Sequence, residues 1–184
     1  LEPYLCSHDR SRKSLNFYSV LQNCMADLRQ IEDVLGLAQL LATKVKQING
    51  FDRVMVYRFD PINQSGKVIA EAKEPHLDSC LDLHYPASDI PQKARDIFAK
   101  NWVRFIPNIA YQPVPIIATR EDEPLDLTYA SLRSVAAGHL EYLENMGVQG
   151  SMSISIRNEN QLWGMIACHN YQPKYVDYQT RKAC

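Results

Sequence analysis

Between Ser14 and Leu28 the apolar residues Phe17, Leu21, Cys24 and Leu28 recur every three or four positions, and Ile31, Leu35, Ala38, Ala42, Val45 and Ile48 repeat the pattern up to Asn49-Gly50. Both stretches predict amphipathic helices whose apolar stripes must be buried against another layer. The pattern then changes to β-rich runs. Arg53 to Phe59 and Lys67 to Ala72 flank the turn formers Pro61, Asn63, Ser65 and Gly66, which predicts a hairpin. The prolines at 86 and 91 exclude regular structure throughout Pro86 to Pro91, after which Gln92 to Lys100 reads as a short helix and Val103 to Ile106 as a third strand. Pro107 to Thr128 is expected to be a long surface loop, of the kind that often carries function. Leu132, Val135, His139, Tyr142 and Met146 mark one face of a further helix, stopped by Gly147. Ser151 to Ile156 and Gln161 to His169 read as paired strands around Asn158-Glu159-Asn160, and Asp177 begins a last helix. Helices, strands, a helix and more strands in this order predict an α+β domain. Its antiparallel sheet would carry helices on one face and a ligand pocket under loops on the other.

Composition narrows the classes. The 184 residues are 46% hydrophobic, enough for one domain with a full core. A formal net charge of -1 gives no pull toward nucleic acid or anionic lipid, and no apolar run approaches the roughly 20 residues of a spanning helix. A cytoplasmic domain is expected. The five cysteines, Cys6, Cys24, Cys80, Cys168 and Cys184, are odd in number and widely spaced, which suggests reduced thiols and neither a disulfide framework nor a zinc site.

Candidate chemistry sits on the later strands and the helix between them. By the two-residue period Ser151, Ser153 and Ser155 share one strand face while Met152, Ile154 and Ile156 share the other. The serines are open to two readings, an exposed polar sheet face or a row of hydroxyls for a ligand. His139 and Tyr142 lie in the apolar stripe of their helix, and a satisfied core histidine competes with a ligand contact. His169 closes a strand, and the side it shares with Trp163, Met165 and Ala167 stays open. Arg104 and Arg133 present guanidinium forks suited to carboxylates, or are ordinary surface residues.

Four segments taken together resemble the chromophore-binding GAF domain of phytochromes: FDRVMVYRFD at 51–60, LHYPASDIP at 83–91, LRS at 132–134 followed by HLEYLENMGV at 139–148, and LWGMIACH at 162–169. The resemblance runs from about Phe17 to Cys184, after a leader at 1–13. It implies a module that holds a linear tetrapyrrole (a bilin such as biliverdin or phycocyanobilin) and reports red and far-red light through isomerisation, with no enzymatic activity of its own. Asp89 would lie under the bilin with its carbonyl accepting from pyrrole N–H groups, next to Ile90 and Pro91, and His139 would stack beside the inner rings. Arg104, Arg133, Ser151 and Ser153 would hold two propionates, and His169 the ring D carbonyl. Tyr57, Tyr85, Tyr142 and Met55 would line the space in which ring D turns. A buried protonated pigment requires acceptors and a nearby carboxylate, which agrees with this set.

The chain departs from the pattern at Gly138, where phytochromes that attach bilin within this domain carry a cysteine. Non-covalent binding is therefore expected. Cys80, in Asp78-Ser79-Cys80, is the rival thiol, although Leu81 follows it where the similar cyanobacteriochrome signature has phenylalanine. Leu1-Glu2-Pro3 resembles the end of a preceding PAS domain, so PAS and PHY neighbours in a longer receptor, with a separate output such as a histidine kinase, are expected partners, as is a homodimer built on the opening helices. The competing readings are a GAF domain for a cyclic nucleotide or other small effector, a chromophore-free dimerisation module, and an acid–base enzyme using Asp89, His139 and His169. No glycine-rich phosphate cradle, triad or nucleophile elbow supports the first or the last.

Overall fold

The computed structural model describes residues 22–27, 31–117, 125–131, 133–159 and 161–184. The leader, Phe17, Leu21 and Leu28 of the opening helix, and Leu132 and Asn160 lie outside the described residues. Within the opening helix, residues 22–27 are helical.

Helix α1 (Val34–Asn49) starts later than the apolar spacing suggests, because Asp33 caps it by accepting from the Gly36 N–H at 2.7 Å. It ends at Gly50, whose φ of 66° is the left-handed conformation that the cap requires. The strands are β1 (Arg53–Phe59), β2 (Gly66–Lys73), β3 (His84–Tyr85), β4 (Val103–Ile106), β5 (Gly150–Asn158) and β6 (Gln161–Asn170), with α2 (Gln92–Lys100), α3 (Ala137–Asn145) and α4 (Tyr178–Ala183) between and after them. They form one six-stranded antiparallel sheet in the order β3-β2-β1-β6-β5-β4. The two-residue β3 was not legible as a strand. It pairs only with the start of β2, at the sheet edge.

Both faces of the sheet are covered. On the first, Ala38, Ala42 and Val45 of α1 pack on Val54, Val56, Met152, Ile154, Ile166 and Cys168, closed by Val176 ahead of α4. On the second, Met55, Tyr57, Phe59, Val68 and Met165 gather with Phe98 of α2, Tyr85 of β3 and Ile90 of the loop before α2. Alternation along β1 therefore sends successive residues to the two opposite faces. Ser151, Ser153 and Ser155 belong to the second face and are buried, at 3%, 9% and 5% exposure, so an open polar sheet surface is excluded. β6 runs against β1 without a bulge, so Met165, Ala167 and His169 share that face, which settles the open question about their side.

Helix α3 is shorter than its apolar stripe predicts. It begins at Ala137, after turns in which Arg133 N–H bonds the Ala130 carbonyl, and it stops before Gly147, whose φ is 68°. Its fully buried residue is Leu143, packed with Ile106 and Val148, and not a member of the predicted stripe. A nine-residue helix can divide its faces: Leu143 anchors it, leaving His139 and Tyr142 for the pocket. Asp177 caps α4 through the Thr180 N–H at 2.8 Å. Residues 107–117 and 125–128 are irregular, as expected for the loop. Among the described residues no helix is long and apolar enough to cross a membrane.

Candidate functional site

Strand register lines up the second face in rows. Arg53, His169, Ser151 and Ile106 stand opposite one another across four strands; Met55, Ala167, Ser153 and Arg104 form the next row; Tyr57, Met165 and Ser155 the third. One antiparallel sheet thus brings together residues more than a hundred positions apart. The third serine is already used: Ser155 Oγ donates among the carbonyls of Phe98 and Asn101, at 2.8 and 3.0 Å, and fastens the end of α2 to the sheet. The Ser151 and Ser153 hydroxyls take no hydrogen bond among the described residues, so they differ from Ser155 in being available.

Arg104 stands opposite Ser153 in the strand register, and Arg133 lies close enough to Arg104 to repel it. Arg104 donates to the Ser131 carbonyl at 3.1 Å and the Arg133 carbonyl at 2.6 Å, and Arg133 donates to the Ala130 carbonyl at 3.0 Å. Arg104 thereby holds the loop that carries Arg133. Burial, followed by repulsion from Arg133, lowers the pKa of Arg104. Among the described residues neither arginine meets a carboxylate within ion-pair distance. Two half-buried like charges with no carboxylate at ion-pair distance among the described residues form a site that an anion would relieve.

The two histidines lie between this cationic corner and an aromatic end. The His139 ring is nearly parallel to that of Tyr142, with centroids 6.4 Å apart. Burial, then Arg104, lowers the pKa of His139, whereas burial, then Arg53 and His139, pushes His169 down to about 4. Both imidazoles are neutral at pH 7, each with one donor and one acceptor nitrogen. At the aromatic end Tyr57 meets Phe59 edge-on at 5.2 Å and Tyr85 at 5.8 Å. The Tyr57 and Tyr142 phenols are each pushed up to about 12, mainly by burial. The Asp89 carboxylate adds to the shift in both, so Asp89 lies within electrostatic reach of the two rings. Their hydroxyls stay protonated.

Asp89 itself ends a short 3-10 turn, Ala87–Asp89, and is exposed at the pocket mouth. Pro86 and Pro91 bracket this turn. Pro91 also precedes α2 at a position that needs no N–H, and Ile90 packs into the pocket cluster. Cys80 contacts the same cluster and the Arg53 guanidinium; burial raises its pKa against the pull of Arg53. It is a protonated thiol at neutral pH. Gly138 lies in the exposed first turn of α3, where an added Cβ would meet nothing within 4 Å.

Several residues of this face were not singled out from the sequence. Arg53 and Glu71 form a buried ion pair at 2.8 Å, and Glu71 also accepts from Ser79 Oγ and the Cys80 N–H. The alternation that places Met55 and Tyr57 on the pocket face also places Arg53 there, so the strand period was the available signal. Gly66 and Gly164 matter through close approach. A Cβ at Gly66 would fall 1.7 Å from Tyr57 Cζ, and one at Gly164 would fall 2.4 Å from the Tyr57 backbone oxygen. A ring can swing aside and a central strand cannot. We therefore expect Gly164→Ala to be the more destabilising in urea unfolding, with Gly66→Ala costing only about 1–3 kcal/mol of overpacking while displacing the Tyr57 ring. Equal midpoints for the two variants would refute this ordering.

The GAF domain family model matches residues 33–183. Cyanobacterial phytochrome B of Nostoc sp. is 50% identical over 179 residues, which is 96% of this chain and 24% of that protein. A bacteriophytochrome of Xanthomonas campestris is 45% identical over 88% of this chain and 26% of its own length. The chain therefore spans about a quarter of these curated relatives. The solved chromophore-binding domain of a Stigmatella aurantiaca phytochrome superposes with a TM-score of 0.87 at 45% identity, covering 92% of this chain and 56% of that one. The photosensory core module of a phytochrome from the same organism reaches a TM-score of 0.92 at 42% identity over 99% of this chain and 36% of that one. Sheet order, the two-faced core and these similarities agree: the chain belongs to the GAF domain family, and within it to the phytochrome chromophore-binding type.

Proposed function

We propose that the second sheet face binds a linear tetrapyrrole and that the domain is the light-sensing, non-catalytic part of a phytochrome-like red/far-red receptor. One observation carries the reading: the second sheet face has at one end an arginine pair that meets no carboxylate among the described residues, near two serine hydroxyls unengaged among the same residues, and at the other end a cluster of protonated tyrosines within electrostatic reach of the Asp89 carboxylate. An elongated ligand with two carboxylates and a protonatable, apolar remainder fits that polarity. Arg104, Arg133, Ser151 and Ser153 would take the propionates. Asp89 would accept pyrrole N–H groups through its backbone carbonyl, His139 would lie beside the inner rings, and His169 would donate to the ring D carbonyl. Met55, Tyr57, Tyr85 and Tyr142 would enclose ring D, with Ile90 and Pro91 shaping the edge near Asp89.

A bound bilin supplies the light absorption and the isomerising double bond. The protein's contribution is to orient and desolvate it. Neutral histidines add no competing positive charge beside a protonated pigment, and the Asp89 carboxylate favours that protonation. In the intact receptor this domain would lie between PAS and PHY domains, in the cytoplasm, and the opening helices would offer a dimer contact. Cys6 lies outside the described residues.

Attachment is non-covalent in this reading, because Gly138 lacks sulfur and the Cys80 thiol is held protonated, while thioether formation requires a thiolate. Mixing the purified domain with biliverdin or phycocyanobilin should produce a red absorbance band that survives native gel filtration but leaves no zinc-enhanced bilin fluorescence after denaturing electrophoresis. With phycocyanobilin, Gly138→Cys should yield the fluorescent band. Unchanged pigment spectra would refute bilin binding. A fluorescent parent band lost in Cys80→Ala would refute the non-covalent assignment.

A further inference from the structure

Arg95 is 6% exposed and belongs to α2, one turn beyond the pocket mouth. Its guanidinium is spent on oxygen atoms of the chain. Nε donates to the Ile90 carbonyl at 2.7 Å and Nη2 to the Ala87 carbonyl at 3.2 Å. Nη1 donates to Gln64 Oε1 at 2.6 Å and Nη2 to the Gln64 carbonyl at 2.5 Å. Its carbon lies 4.8 Å from the centre of the Phe59 ring. No carboxylate reaches it within ion-pair distance among the described residues. A buried cation is costly without dense hydrogen bonding, and the planar fork supplies that density in a way that an ammonium cannot.

The arrangement of acceptors is informative. Ala87 and Ile90 flank Ser88 and Asp89, so one guanidinium holds both ends of the turn that presents Asp89. Gln64, on the opposite side of the fork, lies in the β1–β2 hairpin with φ of 63°, a left-handed conformation that non-glycine residues adopt at a cost. The turn's own reinforcement is slight: the Asp89 N–H to Pro86 carbonyl bond at 3.1 Å and a long Ser88 Oγ contact to Asp89 Oδ1 at 3.4 Å. Asp89 itself is exposed, so packing does not orient it.

We propose that Arg95 is the positioning residue of the site, clamping the Asp89 turn to the β1–β2 hairpin so that the Asp89 carbonyl and carboxylate hold fixed directions toward the pocket. The clamp is a property of the ligand-free chain. Its consequence for pigment protonation rests on the bilin reading given above.

Arg95→Lys keeps the charge and loses the fork, so it separates geometry from electrostatics. In the pigment-free protein, amide hydrogen exchange should quicken at Asp89 by tenfold or more and stay unchanged at Val54 and Val56 in the sheet core. With biliverdin added to the same variant, the apparent pKa of the bound pigment should fall by a unit or more, read as earlier alkaline loss of the red band. Gln64→Gly, which relieves the left-handed strain and deletes one acceptor, should produce a smaller shift in the same direction and serves if Arg95→Lys does not fold. Unaltered exchange at Asp89 in the folded variant would overturn the clamp. Faster exchange with an unshifted pigment pKa would overturn its role in the site. If the parent itself fails to bind biliverdin, the bilin reading falls and the exchange result still decides the clamp.

Discussion

Replacing both Arg104 and Arg133 with alanine is expected to abolish measurable biliverdin binding at micromolar protein while leaving the domain folded. A charge-assisted hydrogen bond contributes about 1.5–3 kcal/mol, so each arginine accounts for about tenfold to a hundredfold in affinity. The two will not add simply, because Arg104 bonds the Arg133 carbonyl and so orients the loop bearing its neighbour. Arg104→Ala should therefore weaken binding more than Arg133→Ala does, and Arg104→Lys should fail to restore it, since an ammonium cannot span the Ser131 and Arg133 carbonyls in the same way. Absorbance titrations of the three variants and the double variant decide the matter. Retained affinity in the double variant would place the pigment's carboxylates elsewhere. Stability should change little or rise, since two like charges on one half-buried corner repel.

The second large effect concerns folding. Glu71→Leu is expected to cost about 3–5 kcal/mol, because it leaves the Arg53 guanidinium buried beside a hydrocarbon side chain. Both side chains of the pair are about 5% exposed or less, so salt will not screen the loss. Glu71 also organises Ser79 and Cys80, and Arg53 donates to the Asp78 carbonyl at 2.7 Å, so breaking the pair releases the loop that leads into the Tyr85 wall. Replacing both partners, as Arg53→Met with Glu71→Leu, should recover most of the stability, since removing a buried pair together is far less costly than orphaning one member. Urea unfolding of the single and double variants tests this. A double variant as unstable as Glu71→Leu would show that the pair contributes more than mutual neutralisation. Arg53 Nε is buried without a hydrogen-bond partner among the described residues, which is consistent with a pair that is imperfectly compensated even in the parent.

Much of the local structure around the candidate site was legible along the chain. The alternation of Ser151 to Ile156 correctly assigned faces, because strand geometry is local and has a period of two. The hairpin of β1 and β2, the irregular Pro86–Pro91 turn and the last helix followed from proline, glycine and capping chemistry, which also acts over a few residues. The similarity of the 51–60 and 83–91 segments to phytochromes carried the family before any fold was known. Where the reading stopped short, the deciding interaction was long-range. His139 and Tyr142 sit in an apolar stripe that a helix could equally turn toward its own core; Leu143, packed on Ile106 and Val148, takes that place and turns the two rings outward to the pocket. The bulge-free pairing of β6 with β1 put His169 beside Arg53, a partner 116 positions away in the chain. Arg53, Glu71 and Arg95 were not singled out, since nothing local marks a charge as buried.

The sequence by itself determined most of the helices, strands and turns, β3 and the exact helix ends excepted, and which family's motifs they carry, because propensity, periodicity and capping depend on neighbours in the chain. Only the tertiary structure decided that Ser155 is spent on the end of α2 while Ser151 and Ser153 are not, and that Arg95 holds both sides of the Asp89 turn. Hydrogen-bond satisfaction and burial are set by which distant backbone atoms arrive at a side chain, and that is fixed by strand order and register in space.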